Sequence, residues 1–293
     1  MADCVAMVVS SPRDMKFNAE DAAELYLALL KRALTGVLAR DECWPLRSTR
    51  PLRRAGLALA HALLPDDIAL VRRKEVDMSA RNAGIDWPPP PQAETMVGLE
   101  RMDNVHRCIA DVLTQGVPGD FMECGVWRGG VAIFMRGALK AYGDASRVVW
   151  AADSFAGLPP PDEDQFPPDA DNVLWRYDEL AVSLEEVKRA FERYGLLDDR
   201  VRFLPGWFRD TLPKAPVDRL AILRLDGDMY ESTMVALRSL WPKVSVGGYV
   251  IVDDYQPKHP GCVAAVDEFL AEHGPGETLQ PAGTIGAYWK RTA

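Results

Sequence analysis

The sequence predicts an α/β protein built on a doubly wound, mostly parallel sheet whose last strand runs antiparallel, preceded by a helical N-terminal extension. Three observations lead there. From Phe121 onward, short apolar runs alternate with stretches of helical periodicity, the rhythm of parallel strands joined by crossover helices. Before that point the pattern is helical and ends in the run Pro88 to Pro91, which forbids regular helix and marks a boundary. At the far end, Glu277 to Gln280 and Thr284 to Trp289 are separated by Pro281, Ala282 and Gly283, which suits a terminal hairpin.

Taken in order, Asn18 followed by Glu20 and Asp21 has the form of a helix N-cap with acids in the first turn. Tyr26, Leu29, Leu30, Ala33, Val37 and Leu38 then recur at helical spacing. A second helix is expected over Arg54 to Leu64, stopped by Pro65. Residues 1–92 are thus expected as a helical extension that packs against another subunit, and 93–293 as the α/β domain. Within it the candidate strands are Asp120 to Cys124, Val148 to Ala152, Val201 to Leu204, Leu220 to Leu225, Tyr249 to Val252 and Ile285 to Trp289. Helices are expected at Gly130 to Ala141, Leu184 to Tyr194, Ser232 to Leu240 and Val263 to Glu272. Six strands of parallel type with one reversed is the layout of a Rossmann-like methyltransferase sheet.

Composition narrows the partners. Asp plus Glu (43) exceed Lys plus Arg (34), a formal charge of −9, so the attraction that supplies most non-specific nucleic-acid affinity is missing overall. Neither a nucleic-acid nor a membrane partner is expected. The compact basic cluster Arg47, Arg50, Arg53 and Arg54 reads as a solvated face. Five scattered cysteines without a Cys-x-x-Cys pair point to reduced thiols rather than zinc or redox chemistry, and with them a cytoplasmic location. Met1 to Ser11 has no basic lead-in and is interrupted by Asp3, unlike a secretory signal. No apolar run approaches the length that spans a bilayer.

In an open α/β sheet, ligands bind beyond the carboxyl ends of the strands. After the first strand comes Glu123-Cys124-Gly125-Val126-Trp127-Arg128-Gly129-Gly130, where glycine permits a tight turn and close backbone approach. It is either a plain turn or the floor of a ligand site, and Trp127 and Arg128 make it too crowded for pyrophosphate. The second strand ends in Asp153-Ser154-Phe155. Asp153 is either a helix cap or the acceptor for ribose hydroxyls, with Phe155 available beside an adenine. A nucleoside cofactor without phosphates, S-adenosylmethionine rather than NAD, fits this pair of loops.

The densest signal is acidic. One strand runs into Asp226-Gly227-Asp228 and the next into Asp253-Asp254. Asp226, Asp253 and Asp254 converge at one sheet edge, and clustered anions are costly unless a cation or protons neutralise them. All-oxygen ligation favours Mg2+; the alternative is capping and turn acids. Asp228 reads as a turn residue, and His259 as a base or a solvated loop histidine. His61, His106 and His273 lack metal-ligand spacing. Ala156 to Trp175, rich in Pro, Asp and Glu, is a lid or a mobile acidic loop.

These motifs together resemble the macrocin O-methyltransferase family. The resemblance is carried by Asp86-Trp87-Pro88, Glu94-Thr95-Met96-Val97-Gly98, Arg101-Met102-Asp103-Asn104 and Glu123 to Gly130. It continues through Asp153 to Pro159, Gly206-Trp207-Phe208, Leu225 to Tyr230 and Gly247 to Tyr255. It implies methylation of a sugar hydroxyl on a glycosylated small molecule, with S-adenosylmethionine and Mg2+. It further implies that Thr95 and Met96 help enclose the cofactor, and that Glu123, Cys124, Gly125, Val126 and Trp127 with Asp153, Ser154, Phe155, Ala156 and Gly157 form its cradle. Gly206 and Trp207 are implied on the adenine side. Asp226, Asp253 and Asp254 match the metal-binding acids, with Asp226 as the catalytic base. Residues 1–75 carry no motif of the family, whose N-terminal parts contribute to acceptor recognition and assembly; a homo-oligomer is expected.

Overall fold

A computed structural model describes residues 19–46, 50–65, 68–84, 90–273 and 276–293. The expectations placed on Met1 to Asn18, Arg47, the His61 side chain and the Asp86-Trp87-Pro88 motif lie outside the described residues.

The first described helix, α1 (Ala19–Leu34), carries Glu20 and Asp21 in its first turn and Lys31 and Arg32 in its last, charges that suit the helix dipole. A strand β1 (Asp41–Pro45), helix α2 (Pro51–Ala62) and strand β2 (Val71–Glu75) follow, then α3 (Met78–Ala83), capped by the Asp77 carboxylate and closed by Gly84. The extension is therefore not purely helical, because β1 and β2 pair as an antiparallel ribbon. The ribbon alternates poorly (Val71 to Glu75 are all exposed), so hydrophobic periodicity gave no sign of it. Nor is the extension uniformly peripheral. Leu27, Leu30 and Leu34 of α1 are buried in the same core as Phe134 and Phe191, whereas Leu52, Leu59 and Leu63 of α2 and its flank are exposed.

Among the described residues the main sheet has seven strands, in the order β5-β4-β3-β6-β7-β9-β8. In chain order these are β3 (Asp120–Cys124), β4 (Val149–Asp153), β5 (Val201–Pro205), β6 (Leu220–Leu225), β7 (Val244–Val252), β8 (Gln280–Ala282) and β9 (Gly286–Lys290). The first five are parallel and β9 is reversed against both its neighbours, so the layout is as expected; the terminal hairpin is present, but Pro281 and Ala282, expected in its turn, belong to β8. The helices are α4 (Leu99–Thr114), α5 (Gly130–Ala141), α6 (Leu184–Arg193), the short α7 (Phe208–Thr211), α8 (Tyr230–Leu240) and α9 (Pro260–His273). The helix α4 had not been singled out as an element. α6 starts at a capping box, in which Ser183 and Glu186 satisfy each other's backbone donors.

Side-chain alternation divides the core between the two faces of the sheet. Phe121, Ala151 and Ile222 face α1, α4, α5 and α6, while their neighbours Met122, Ala152 and Leu223 face α8 and α9. The strand β6 is buried at every position, as a central parallel strand should be. The chain steps from β3 to β4 and β5 on one side, then returns to β6 and β7 on the other, so the topological switch lies between β3 and β6. That is where a crevice opens in such sheets.

Candidate active site

At the switch the strand ends touch. The Asp226 N–H donates to Cys124 O at 2.8 Å and the Gly125 N–H to Ala152 O at 2.8 Å. Gly125 has φ +88°, and a Cβ there would lie 1.8 Å from the Asp226 carbonyl oxygen. Among the described residues, three other than glycine adopt the left-handed region, Trp127 (47°), Phe155 (55°) and Asp228 (60°). They sit just past β3, β4 and β6, around one cleft. Such conformations cost of order 1–3 kcal/mol each and gather at sites where geometry matters more than stability.

The cleft encloses about 850 Å³, its mouth included, and its walls include Met96, Gly125, Trp127, Asp153, Ser154, Gly157, Leu158, Trp207, Phe208, Asp226 and Asp228. Of the expected cofactor residues, Met96, Gly125, Trp127, Asp153, Ser154, Gly157 and Trp207 thus reach it. Thr95, Glu123, Cys124, Val126, Phe155, Ala156 and Gly206 are not on its wall. Thr95 is buried and accepts the Val97 N–H at 3.0 Å, Cys124 and Val126 belong to the core, and Phe155 meets Phe203 edge-on at 6.3 Å. Asp153 accepts the Val126 N–H at 2.7 Å and the Phe155 N–H at 2.8 Å, one on each oxygen. It therefore ties the two loops together, and a carboxylate oxygen that takes one donor can still accept another. Burial raises its pKa in spite of those bonds.

Beside this wall lies the acid cluster. Asp226, Asp253 and Asp254 each offer an oxygen within 4.8 Å of the others, and Asp228, Asp254 and His259 form a second such group. His259 is thus beside the acids, with Nδ1 3.5 Å from Asp228 Oδ1. Burial, then repulsion by Asp253, lifts the Asp226 carboxyl well above the usual range; burial with Asp228 and Asp253 does the same to Asp254, and Asp228 rises to about 8. Asp253 goes the other way. Burial would raise it, but the Arg101 and Arg224 guanidiniums outweigh that and hold it below the ordinary value.

Neither arginine was given a role from the sequence, where Arg101 stands only within a motif of the resemblance and Arg224 is not singled out. Arg224, in the middle of apolar β6, is fully buried and donates to Glu123 Oε1 at 2.6 Å, Asp226 Oδ2 at 2.9 Å and Asp253 Oδ1. Arg101, from the first turn of α4, donates to Asp253 Oδ2 and to Gly84 O at 2.9 Å. Glu123 is also buried, its second oxygen lacks a partner, and burial lifts it to about 8 against the pull of Arg224. The signal was present: an arginine between Leu223 and Leu225 in a fully apolar strand requires buried carboxylates.

Donor chemistry tests what the site could hold. Five carboxylates, Glu123, Asp226, Asp228, Asp253 and Asp254, stand against two guanidiniums, and all the anionic ligand atoms are oxygens, so the cluster fits a hard divalent cation. The cleft joins aromatic and aliphatic walls to an acidic end, with Arg209 as its one cationic lining residue among those described. That suits an uncharged nucleoside better than a diphosphate.

The long loop after β4 is held down. Asp169 is buried and its two oxygens accept the first N–H groups of α8, from Tyr230 at 2.6 Å and Glu231 at 3.1 Å. Trp127 Nε1 donates to Glu179 O at 2.9 Å. Arg128 turns away from the cleft and donates to Pro90, Pro91 and Ala93 carbonyls at 3.1, 3.1 and 2.8 Å, binding the proline strap to the β3–α5 turn. No described helix is long and apolar enough to cross a membrane.

The pattern of the family described as Macrocin-O-methyltransferase matches residues 23–291. A Streptomyces olivaceus protein, 8-demethyl-8-(2,3-dimethoxy-alpha-L-rhamnosyl)-tetracenomycin-C 4'-O-methyltransferase, is 46% identical over 94% of this chain and 95% of its own. Demethyldecarbamoylnovobiocin O-methyltransferase of Streptomyces niveus is 45% identical over 92% and 94%. Among solved structures, the O-methyltransferase NovP superposes with a TM-score of 0.78 at 44% identity, covering 92% of this chain and 100% of NovP.

Proposed function

The chain belongs to the macrocin O-methyltransferase family, and from that membership we propose that it transfers a methyl group from S-adenosylmethionine to a deoxysugar hydroxyl of a glycosylated natural product. The observation that carries this reading is the meeting, at one switch point, of a nucleoside-shaped cleft and the acids Asp226, Asp253 and Asp254.

Met96, Gly125, Trp127, Asp153, Ser154, Gly157 and Trp207 would line the cofactor, with Thr95, Glu123, Cys124, Val126, Phe155, Ala156 and Gly206 fixing their backbone from behind. S-adenosylmethionine, when bound, supplies an electrophilic methyl group on a sulfonium. Asp226, Asp253 and Asp254 would hold Mg2+, and Mg2+, when bound, supplies Lewis acidity that makes a neighbouring hydroxyl easier to deprotonate. Asp226 is both on the cleft wall and in the cluster, and its side chain is 28% exposed. It would take the proton of an acceptor hydroxyl held beside the cleft. Arg224 orients it from below through the 2.9 Å bond to Oδ2. The carboxylate field also complements the cationic methyl donor.

The extension completes the reading. Residues 1–92 would serve assembly or acceptor recognition and 93–293 the transfer, and exposed Leu25, Leu29, Leu52, Leu59 and Leu63 support a homo-oligomer. Light scattering checks this, and a monomer would remove it. The function itself is tested with methyl-labelled S-adenosylmethionine and parallel panels of deoxysugar glycosides and catechols, in magnesium or in chelator. Label on a glycoside sugar, lost with chelator, is expected; label confined to catechols would overturn the sugar assignment.

A further inference from the structure

We propose that Arg101 is a built-in counter-ion that competes with a divalent cation for Asp253, so that filling the acid cluster requires this guanidinium to release one carboxylate oxygen. The proposal rests on the reading above that the cluster holds a cation.

Asp253 is doubly engaged: Arg101 donates to Oδ2 and Arg224 to Oδ1. Each Asp253 oxygen keeps a second lone pair, but turning the carboxylate to face a cation pulls it out of line with one of the two guanidiniums. The two arginines are not equivalent. Arg224 is 1% exposed and bridges Glu123, Asp226 and Asp253 at once. Its departure would strand Glu123, whose other oxygen already has no partner, and breaking a buried pair in this way is strongly unfavourable. Arg101 has a second home. Its NH2 donates to Gly84 O at 2.9 Å and lies 3.5 Å from Met96 O, so this nitrogen stays hydrogen-bonded when NH1 lets go, and no second carboxylate is stranded by the release.

Two consequences follow from this asymmetry. A fixed positive charge inside a site for a positive ion weakens binding at close range, where the local dielectric screens little. Removing it tightens the site. The second consequence is coupling to the cleft. Gly84 and Gly98 are pressed together, a Cβ on either lying 2.3 Å from the other's backbone nitrogen, and Met96 is on the cleft wall. Arg101 thus links the occupancy of the acid cluster to the segment that carries Met96.

The test is calorimetric titration of the full-length wild type, Arg101→Gln and Arg101→Lys with Mn2+ as the probe. Arg101→Gln is expected to bind roughly tenfold tighter or more, while Arg101→Lys, which keeps the charge, stays within about threefold of wild type. Thermal unfolding gives a second readout, because a tighter ligand stabilises more at the same concentration. The melting temperature of Arg101→Gln should rise more on adding Mn2+ than that of wild type. Equal or weaker binding by Arg101→Gln, or an Arg101→Gln protein that stays unfolded at saturating Mn2+, would overturn the proposal. Absence of Mn2+ binding by the wild type and both variants would overturn the cation reading as well.

Discussion

Gly125 and Asp226 meet backbone to backbone at the switch point: a single methyl group added to Gly125 would sit 1.8 Å from the Asp226 carbonyl oxygen. The end of β3 and the end of β6 are therefore as close as two chains can come, and this places the cleft wall and the acid cluster side by side.

Gly125→Ala forces that contact apart and also imposes a side chain at φ +88°. The expected loss is about 2–4 kcal/mol, overpacking plus left-handed strain, together with loss of methyl transfer. Urea denaturation measures the first. A stable, active Gly125→Ala protein would refute the close approach.

Asp226→Ala tests the proposed base. Turnover should fall roughly a hundredfold or more, while calorimetric affinity for S-adenosylhomocysteine stays near wild type, because Asp226 is a single wall residue at the acidic end of a cleft otherwise lined by Met96, Trp127, Asp153 and Trp207. Asp253→Ala should behave alike in turnover and also lose Mn2+ binding.

The buried Glu123 carboxyl gives the cation-free protein a pH signature. Burial lifts it from 4.5 to about 8, so between those values the folded chain holds a proton that the unfolded chain has lost. Its contribution to stability is fully present below the unfolded value and declines as pH rises through 8, by at most about 1.4 kcal/mol per pH unit. Melting temperatures from pH 5 to 9 should fall less steeply in Glu123→Gln; parallel profiles would contradict the assignment.

Asp169 caps α8 from a distant loop, so Asp169→Ala should cost about 1–2 kcal/mol. Amide exchange should speed up over residues 162–180 and at Tyr230 and Glu231. Loss of stability without faster exchange in that loop would place the anchor elsewhere.

What could be read without coordinates divides along physical lines. The strands at Asp120, Leu220 and Tyr249 were legible because apolar runs ending in glycine or aspartate mark parallel strands and their carboxyl ends. The same logic placed Asp153, Asp226, Asp253 and Asp254 at one edge, and they are there. The ribbon of Asp41 to Pro45 with Val71 to Glu75 was not legible, since its solvated strands lack the two-residue period. Arg224 was hidden by its apolar neighbours and Arg101 by its place on a helix; the carboxylate they share, Asp253, lies 29 and 152 residues away from them. Arg128, read as crowding the turn, turns instead to the carbonyls of the proline strap. The acidic loop read as mobile or lid-like is pinned by Asp169, whose partner N–H groups lie more than 60 residues on.

The most direct test is calorimetric titration with S-adenosylhomocysteine, with NADH in a parallel run and magnesium present or absent. Stoichiometric binding of S-adenosylhomocysteine alone is expected. Binding of NADH in its place, or of neither, would contradict the assignment of the cleft to a methyl donor.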